Sequence, residues 1–211
     1  VGAVKAFPLN GCPEVFALDD KGRCRILSCY SQRWTAWETV KDDEWLGSFA
    51  AVDLDPQVGE TELYTGGKRG NLYRIVTHRD GGLDTALIAR FPAEELHTAA
   101  AGDLLPTRPG NELLIFTHLG NVYDIRPDPA SPSGFRGVQH ARLDGRVRQA
   151  IVLQDLPGDA STGGPWIAAA TRNGQLQLLR MREQGMDVVP ILDEPMGFGR
   201  IAIRPPAAGQ A

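Results

Sequence analysis

Three of the chain's four tryptophans, Trp34, Trp37 and Trp45, fall within twelve residues. Exposed indole rings stack on sugars or anchor protein interfaces, so this cluster is the first candidate for binding chemistry, here carbohydrate binding. Trp34 and Trp37 are three apart and would point to opposite faces of one regular strand, which argues for packing at least one of them between sheets. The four histidines, His78, His97, His118 and His140, are scattered, and none pairs at ligand or catalytic spacing. There is no Gly-x-Ser-x-Gly elbow, no His-Glu-x-x-His pair, no phosphate-binding loop and no dinucleotide fingerprint. Cys12, Cys24 and Cys29 sit in the first thirty residues without a second Cys or His cluster, which is neither a zinc pattern nor a disulfide framework. No catalytic residue is assigned, and the reading leans away from an enzyme. Idle thiols favour a reducing compartment such as the cytoplasm.

The elements that must position these residues come from a repeat. Gly59-Glu-Thr-Glu-Leu-Tyr-Thr-Gly-Gly-Lys-Arg-Gly-Asn-Leu-Tyr-Arg-Ile75 aligns with the segment from Gly110 to Ile125. Further copies run from Gly11 to Leu27 and from Gly164 to Leu179. The turn glycines Gly22, Gly70, Gly120 and Gly174 are spaced 48, 50 and 54 residues apart, and the upstream glycines keep the same beat. Each unit opens with an apolar run: Ala3 to Leu9, Phe49 to Leu54, Thr98 to Leu105, Gln149 to Leu156, and a fifth at Arg200 to Arg204. A hairpin follows, with Gly-Asn or its equivalent in the turn. Last comes an outer strand, at 33–40, 84–91, 137–143 and 187–192. The one stretch with helical character, Ala93 to Ala101, is short and abuts a strand.

Four short strands per unit of about fifty residues make the blade of an all-β propeller, because one four-stranded sheet cannot cover both its faces without neighbours. The predicted organisation is a propeller over 1–204, with blades at 1–47, 48–96, 97–146 and 147–198. The first strand of a fifth blade follows at 199–204, and then a flexible tail at 205–211. That extra strand is redundant for a four-bladed disk closed by its own ends and fits the opening of a further blade or self-association through an open edge. The closed disk and a part of a larger propeller both stay open. The chain starts on Val1, so removal of a leader and descent from a longer protein both stay open.

The segment Val52-Asp-Leu-Asp-Pro-Gln-Val-Gly-Glu-Thr-Glu-Leu63 resembles the FG-GAP or VCBS-type propeller repeat, with Asp53 and Asp55 at the first two acidic positions and Glu62 at the last. The next copy keeps Asp103, Gly110 and Glu112 but has Leu105 at the second acidic position. The resemblance implies a loop that holds Ca²⁺ in its complete form. Here it leaves at most Asp53, Asp55, Glu60 and Glu62, fewer oxygens than calcium takes. The favoured role of Asp53 and Asp103 is to fix the loop by bonding its amides, with no cofactor expected.

Charge separates by loop type. Turns between the second and third strands carry Lys21, Arg23, Lys68, Arg69, His118 and Arg172. Loops between the first and second strands carry the acids, including Asp53, Asp55, Glu60, Glu62, Asp103, Glu112, Asp155 and Asp159. A propeller puts these loops on opposite faces, so a basic face is expected to dock an acidic protein partner. Across the whole chain 22 Lys and Arg face 26 Asp and Glu, giving a net charge of −4, the wrong balance for general nucleic-acid binding. No run approaches the roughly 18 apolar residues of a membrane-inserted helix. The expected function is a non-catalytic interaction module, with a lectin-like propeller using the tryptophans, or a lyase or hydrolase with its site at the axis, as alternatives.

Overall fold

In the computed structural model the described residues are 3–9, 12–27, 32–40, 44–54, 62–78, 82–153 and 164–193. The proposed fifth-blade strand at 199–204, the tail at 205–211 and the loop acids Asp55, Glu60, Asp155 and Asp159 lie outside them.

Sixteen strands are found among the described residues, grouped into four antiparallel sheets in chain order. The first blade holds β1 (Ala3–Leu9), β2 (Cys12–Leu18), β3 (Arg23–Leu27) and β4 (Glu38–Thr39), and the second β5 (Leu46–Val52), β6 (Glu62–Gly67), β7 (Asn71–Thr77) and β8 (Leu83–Arg90). The third holds β9 (Leu96–Gly102), β10 (Glu112–Thr117), β11 (Asn121–Pro127) and β12 (Phe135–Arg142). The fourth holds β13 (Val147–Leu153), β14 (Trp166–Thr171), β15 (Gln175–Met181) and β16 (Met186–Asp193). The expected meander is present in every unit, but the first outer strand is only two residues long, with Trp34 reaching Leu27 through an isolated bridge. Ala93 turns with a φ of 63° and β9 begins at Leu96, so the segment with helical character is a turn entering a strand.

The glycines that mark the repeat do the same work in each blade. Gly22, Gly70, Gly120 and Gly174 have φ of 78°, 73°, 83° and 94°, which side chains rarely adopt. The carbonyls of Gly22, Gly70 and Gly120 accept the amides of Val40, Phe91 and Leu143, clamping the end of the outer strand onto the turn. A Cβ on Gly70 would sit 2.0 Å from the Phe91 carbonyl oxygen.

Hydrophobic cores form between blades. Phe16, Leu18 and Ile26 of the first pack against Leu63, Tyr73 and Ile75 of the second. Tyr64, Leu72 and Ile88 of the second meet Leu113, Ile115 and Ile125 of the third. Leu114, Phe116 and Val122 of the third meet Ile167, Leu179 and Met181 of the fourth. Alternation along the strands sends one set of side chains to each neighbour, so a blade needs a sheet on both sides. The fourth shows this by contrast. A register shift in the outer strand leaves Ile88 between the partners of Leu72 and Tyr73, and Ile191 between those of Leu176 and Gln177. Ile88 is 1% exposed against the third blade, whereas Ile191 is 53% exposed. Val188, Val189 and Leu192 beside it are exposed as well. No helix among the described residues is long and apolar enough to cross a membrane.

Candidate partner-binding site

The candidate site is built where the inner strands β5, β9 and β13 begin. In three successive blades the turn between second and third strands is tied to the residue that precedes the inner strand. Lys68 donates its amide to the Trp45 carbonyl at 3.3 Å, His118 to Glu95 at 2.9 Å and Arg172 to Arg146 at 2.8 Å. Each basic turn residue therefore stands beside a crossover residue, and the three pairs share one face of the molecule.

A buried carboxylate fixes the crossover in two of these blades. Glu44, 1% exposed, accepts from Asn71 Nδ2 at 3.0 Å, Tyr73 OH at 2.9 Å and the Arg69 amide at 3.2 Å. Fifty residues on, Glu94 accepts from Asn121 Nδ2 at 3.1 Å and Tyr123 OH at 2.5 Å. Burial pushes the Glu94 carboxyl up, but the nearby Thr117 hydroxyl and the hydrogen bonds from Tyr123 and Asn121 outweigh it and hold the group below the usual range. The Tyr123 phenol is raised to about 12 by burial and by the adjacent Glu94 charge. In the fourth blade Asn173 takes over, donating to the Asp144 carbonyl at 3.1 Å.

Polar side chains converge on this frame. His97 Nε2 donates to Glu95 Oε2 at 3.3 Å, and Arg146 Nη2 donates to His97 Nδ1 at 3.1 Å. The imidazole is thereby held as the neutral tautomer with hydrogen on Nε2. Burial lowers the His97 pKa and the Arg146 charge adds to this, while Glu95 opposes both. His118 Nδ1 accepts the Glu95 amide at 2.8 Å, and the Trp45 ring lies 6.3 Å from the His97 ring. Arg146 is depressed by burial first; the Glu95 charge raises it, and Arg172 and Arg148 push it down again. The Arg172 and Arg148 charges thus both bear on Arg146, at a mouth where Glu95 is engaged by His97. Such a field favours an anionic partner.

Of the residues expected on the basic face, Lys68, Arg69, His118 and Arg172 belong to this mouth. Lys68 Nζ lies 5.8 Å from the Trp45 ring centroid. Lys21 is exposed on the equivalent turn of the first blade. Arg23 is not available in the same way, because it is paired with Asp19 at 2.7 Å and stacked over Trp37 at 5.5 Å. The sequence reading missed Glu95, Arg146 and Arg148, and set His97 aside among scattered histidines. They lie in crossovers and strand starts rather than in turns, and the fifty-residue recurrence of Glu44 and Glu94 is the signal that could have found them.

On the opposite face two of the expected acids, Glu62 and Glu112, are buried, while Asp103 is exposed. Glu62 is fully buried, paired with Arg74 at 3.0 Å and bonded by the Tyr64 hydroxyl. Glu112, 1% exposed, caps the amides of Leu104 and Leu105 at 2.8 and 2.9 Å and pairs with Arg108 at 3.0 Å. These acids hold their loops internally and add little to a surface field. Among the described residues no three His, Cys, Asp or Glu side chains converge on a metal position. Within the weak calcium set, Glu62 is engaged by Arg74 and Tyr64, and Asp53 stands on the rim of a cleft.

The tryptophans do not form a platform. Arg25 lies 4.5 Å from the Trp34 ring and 4.6 Å from the Trp37 ring, so both rings share one guanidinium instead of facing opposite ways. Their segment is not a regular strand, which removes the alternation on which the expectation rested. Trp45 belongs to the basic mouth. Cys24 is buried in the first interblade core, and its thiol is raised to about 12 by burial and by Glu38, which makes it a poor nucleophile.

No protein-family model and no curated protein matches the chain. Among solved structures, BBS1N in complex with ARL6DN, from a crystal soaked with lead, is similar over 88% of this chain and 55% of that chain, with 13% identity and a TM-score of 0.59. The same complex soaked with mercury matches over 89% and 66% at a TM-score of 0.46. The fold is a β-propeller. At this identity the likeness is one of fold alone, and the chain spans about half the length of the first structure.

Proposed function

We propose that this chain is a non-catalytic propeller module that docks an acidic segment of a protein partner on the mouth formed by Arg146, Arg148, Arg172, His118 and Lys68. The observation that carries the reading is the like-charge crowding of Arg146 by Arg148 and by Arg172, whose amide bonds the Arg146 carbonyl at 2.8 Å, with Glu95 engaged by His97. An incoming carboxylate relieves that repulsion without breaking an internal pair. The likeness to BBS1N, whose structure was determined in complex with ARL6DN, supports protein docking as the general use. The reading includes work within a larger assembly, supported by the exposed Ile191 side of the fourth blade, and a degenerate FG-GAP-like repeat, supported by Asp53 and Asp103 in corresponding loops.

The test is fluorescence anisotropy of the full chain with a labelled Asp/Glu-rich peptide. Arg148→Ala and Arg172→Ala are each expected to weaken binding by up to about fivefold, the equivalent of an exposed ion pair, and added salt is expected to weaken it further. Equal binding by wild type and the double variant at low salt refutes the proposed mouth.

A further inference from the structure

On the face away from the mouth, a cleft of about 410 Å³ opens between the second and third blades, lined by Asp53, Leu54, Arg108, Asn111, Ile125 and Arg126, among others. Its polar groups are rigidly held from behind. Asp124, fully buried, accepts from Arg108 Nη2 at 3.0 Å and from Arg126 Nε at 2.5 Å. Arg108 Nε is fixed by Glu112 at 3.0 Å, and Arg126 Nη2 donates to His140 Nε2 at 2.8 Å. His140 Nδ1 in turn donates to the Gly185 carbonyl of the fourth blade at 3.0 Å. Asn111 Nδ2 donates to the Asp53 carbonyl at 3.0 Å and ties the two walls together.

What the cleft leaves unused defines its ligand. Among the described residues, neither Arg108 Nη1 nor Arg126 Nη1 has a hydrogen-bond partner, and the two side chains are 31% and 25% exposed. The Asp53 carboxylate, half-buried on the cleft wall, accepts no hydrogen bond from a described residue. A ligand must therefore offer acceptors to two guanidiniums and a donor to a carboxylate within one small volume. The charges decide its class. Arg108 and Arg126 are opposed by Glu112, Asp124 and Asp53, so a free anion meets no net positive field, and a free cation shares the walls with two guanidiniums. A hydroxyl both donates and accepts, and adjacent hydroxyls on a ring serve both kinds of group at once. Leu54 and Ile125 supply an apolar wall for the C–H face of such a ring. We propose that this cleft binds a neutral saccharide, at a place distinct from the tryptophans and independent of partner docking on the opposite face.

The experiment is saturation-transfer NMR on the full chain with a panel of methyl hexopyranosides and a set of disaccharides, with inorganic phosphate and methylamine as charged counterparts. At least one saccharide is expected to bind, and Asp53→Leu is expected to weaken it at least tenfold. Asn111 is exposed, so Asn111→Leu provides a second variant that leaves the buried ion pairs intact, and it is expected to weaken binding as well. Arg172→Ala, on the other face, leaves saccharide binding unchanged. The proposal is overturned if no saccharide binds, if only phosphate or methylamine does, or if a bound saccharide is unaffected by both cleft variants while the fold stays intact by circular dichroism.

Discussion

The Glu94–Asn121–Tyr123 cluster shows how one buried charge organises the surface proposed for docking: the residue after it, Glu95, places both His97 and His118. Removing a hydrogen bond to such a carboxylate costs about 1.5–3 kcal/mol. Tyr123→Phe is expected to lower stability by that amount in urea unfolding, and Tyr73→Phe to act alike through Glu44. His97 gives a pH signature. Its folded pKa lies below the ordinary value, so as pH falls the unfolded chain takes up the proton first. Its contribution to stability is complete above about pH 6.5 and declines as pH drops toward the folded pKa. Melting curves between pH 7.5 and 5.5 should show a shallower loss in His97→Gln than in wild type. These residues were not legible in the sequence, because nothing local marks a histidine whose two nitrogens are satisfied by residues from two blades.

Blades were legible because their markers are backbone requirements. Gly70 has a φ of 73° and no room for a Cβ beside the Phe91 carbonyl. Gly70→Ala is expected to cost about 2–3 kcal/mol, measured by chemical denaturation, since backbone strain at a left-handed position and a backbone clash act together. That demand recurs every fifty or so residues, and the eye finds it. Side-chain pairing carries no such constraint. Glu62 pairs with Arg74 in the second blade, while at the corresponding positions of the third Glu112 and Asp124 share Arg108, so the sign at one position reverses and the period is lost. The same freedom misled the reading of the tryptophans. The outer strand of the first blade is two residues long, and Arg25 rather than a neighbouring sheet occupies the space between Trp34 and Trp37.

Across the whole molecule, three interblade cores join four blades, and the fourth presents Val189, Ile191 and Leu192 to solvent. Ile191→Lys, at 53% exposure, is expected to leave the melting temperature of the isolated chain within about 2 °C of wild type while reducing self-association in light scattering. A large loss of stability would place that side chain in a core of the chain itself. In the proposed function the two faces carry different tasks: basic turns and crossovers meet at the mouth, while in the opposite loops Glu62 and Glu112 are engaged internally. Hydrogen exchange of the full chain with and without the acidic peptide tests this division most directly. The account predicts slowed exchange at the turns 67–70, 117–120 and 171–174 and at the crossover 145–148, with the loop at 103–111 unchanged. Protection confined to that loop, or spread evenly over both faces, would contradict it.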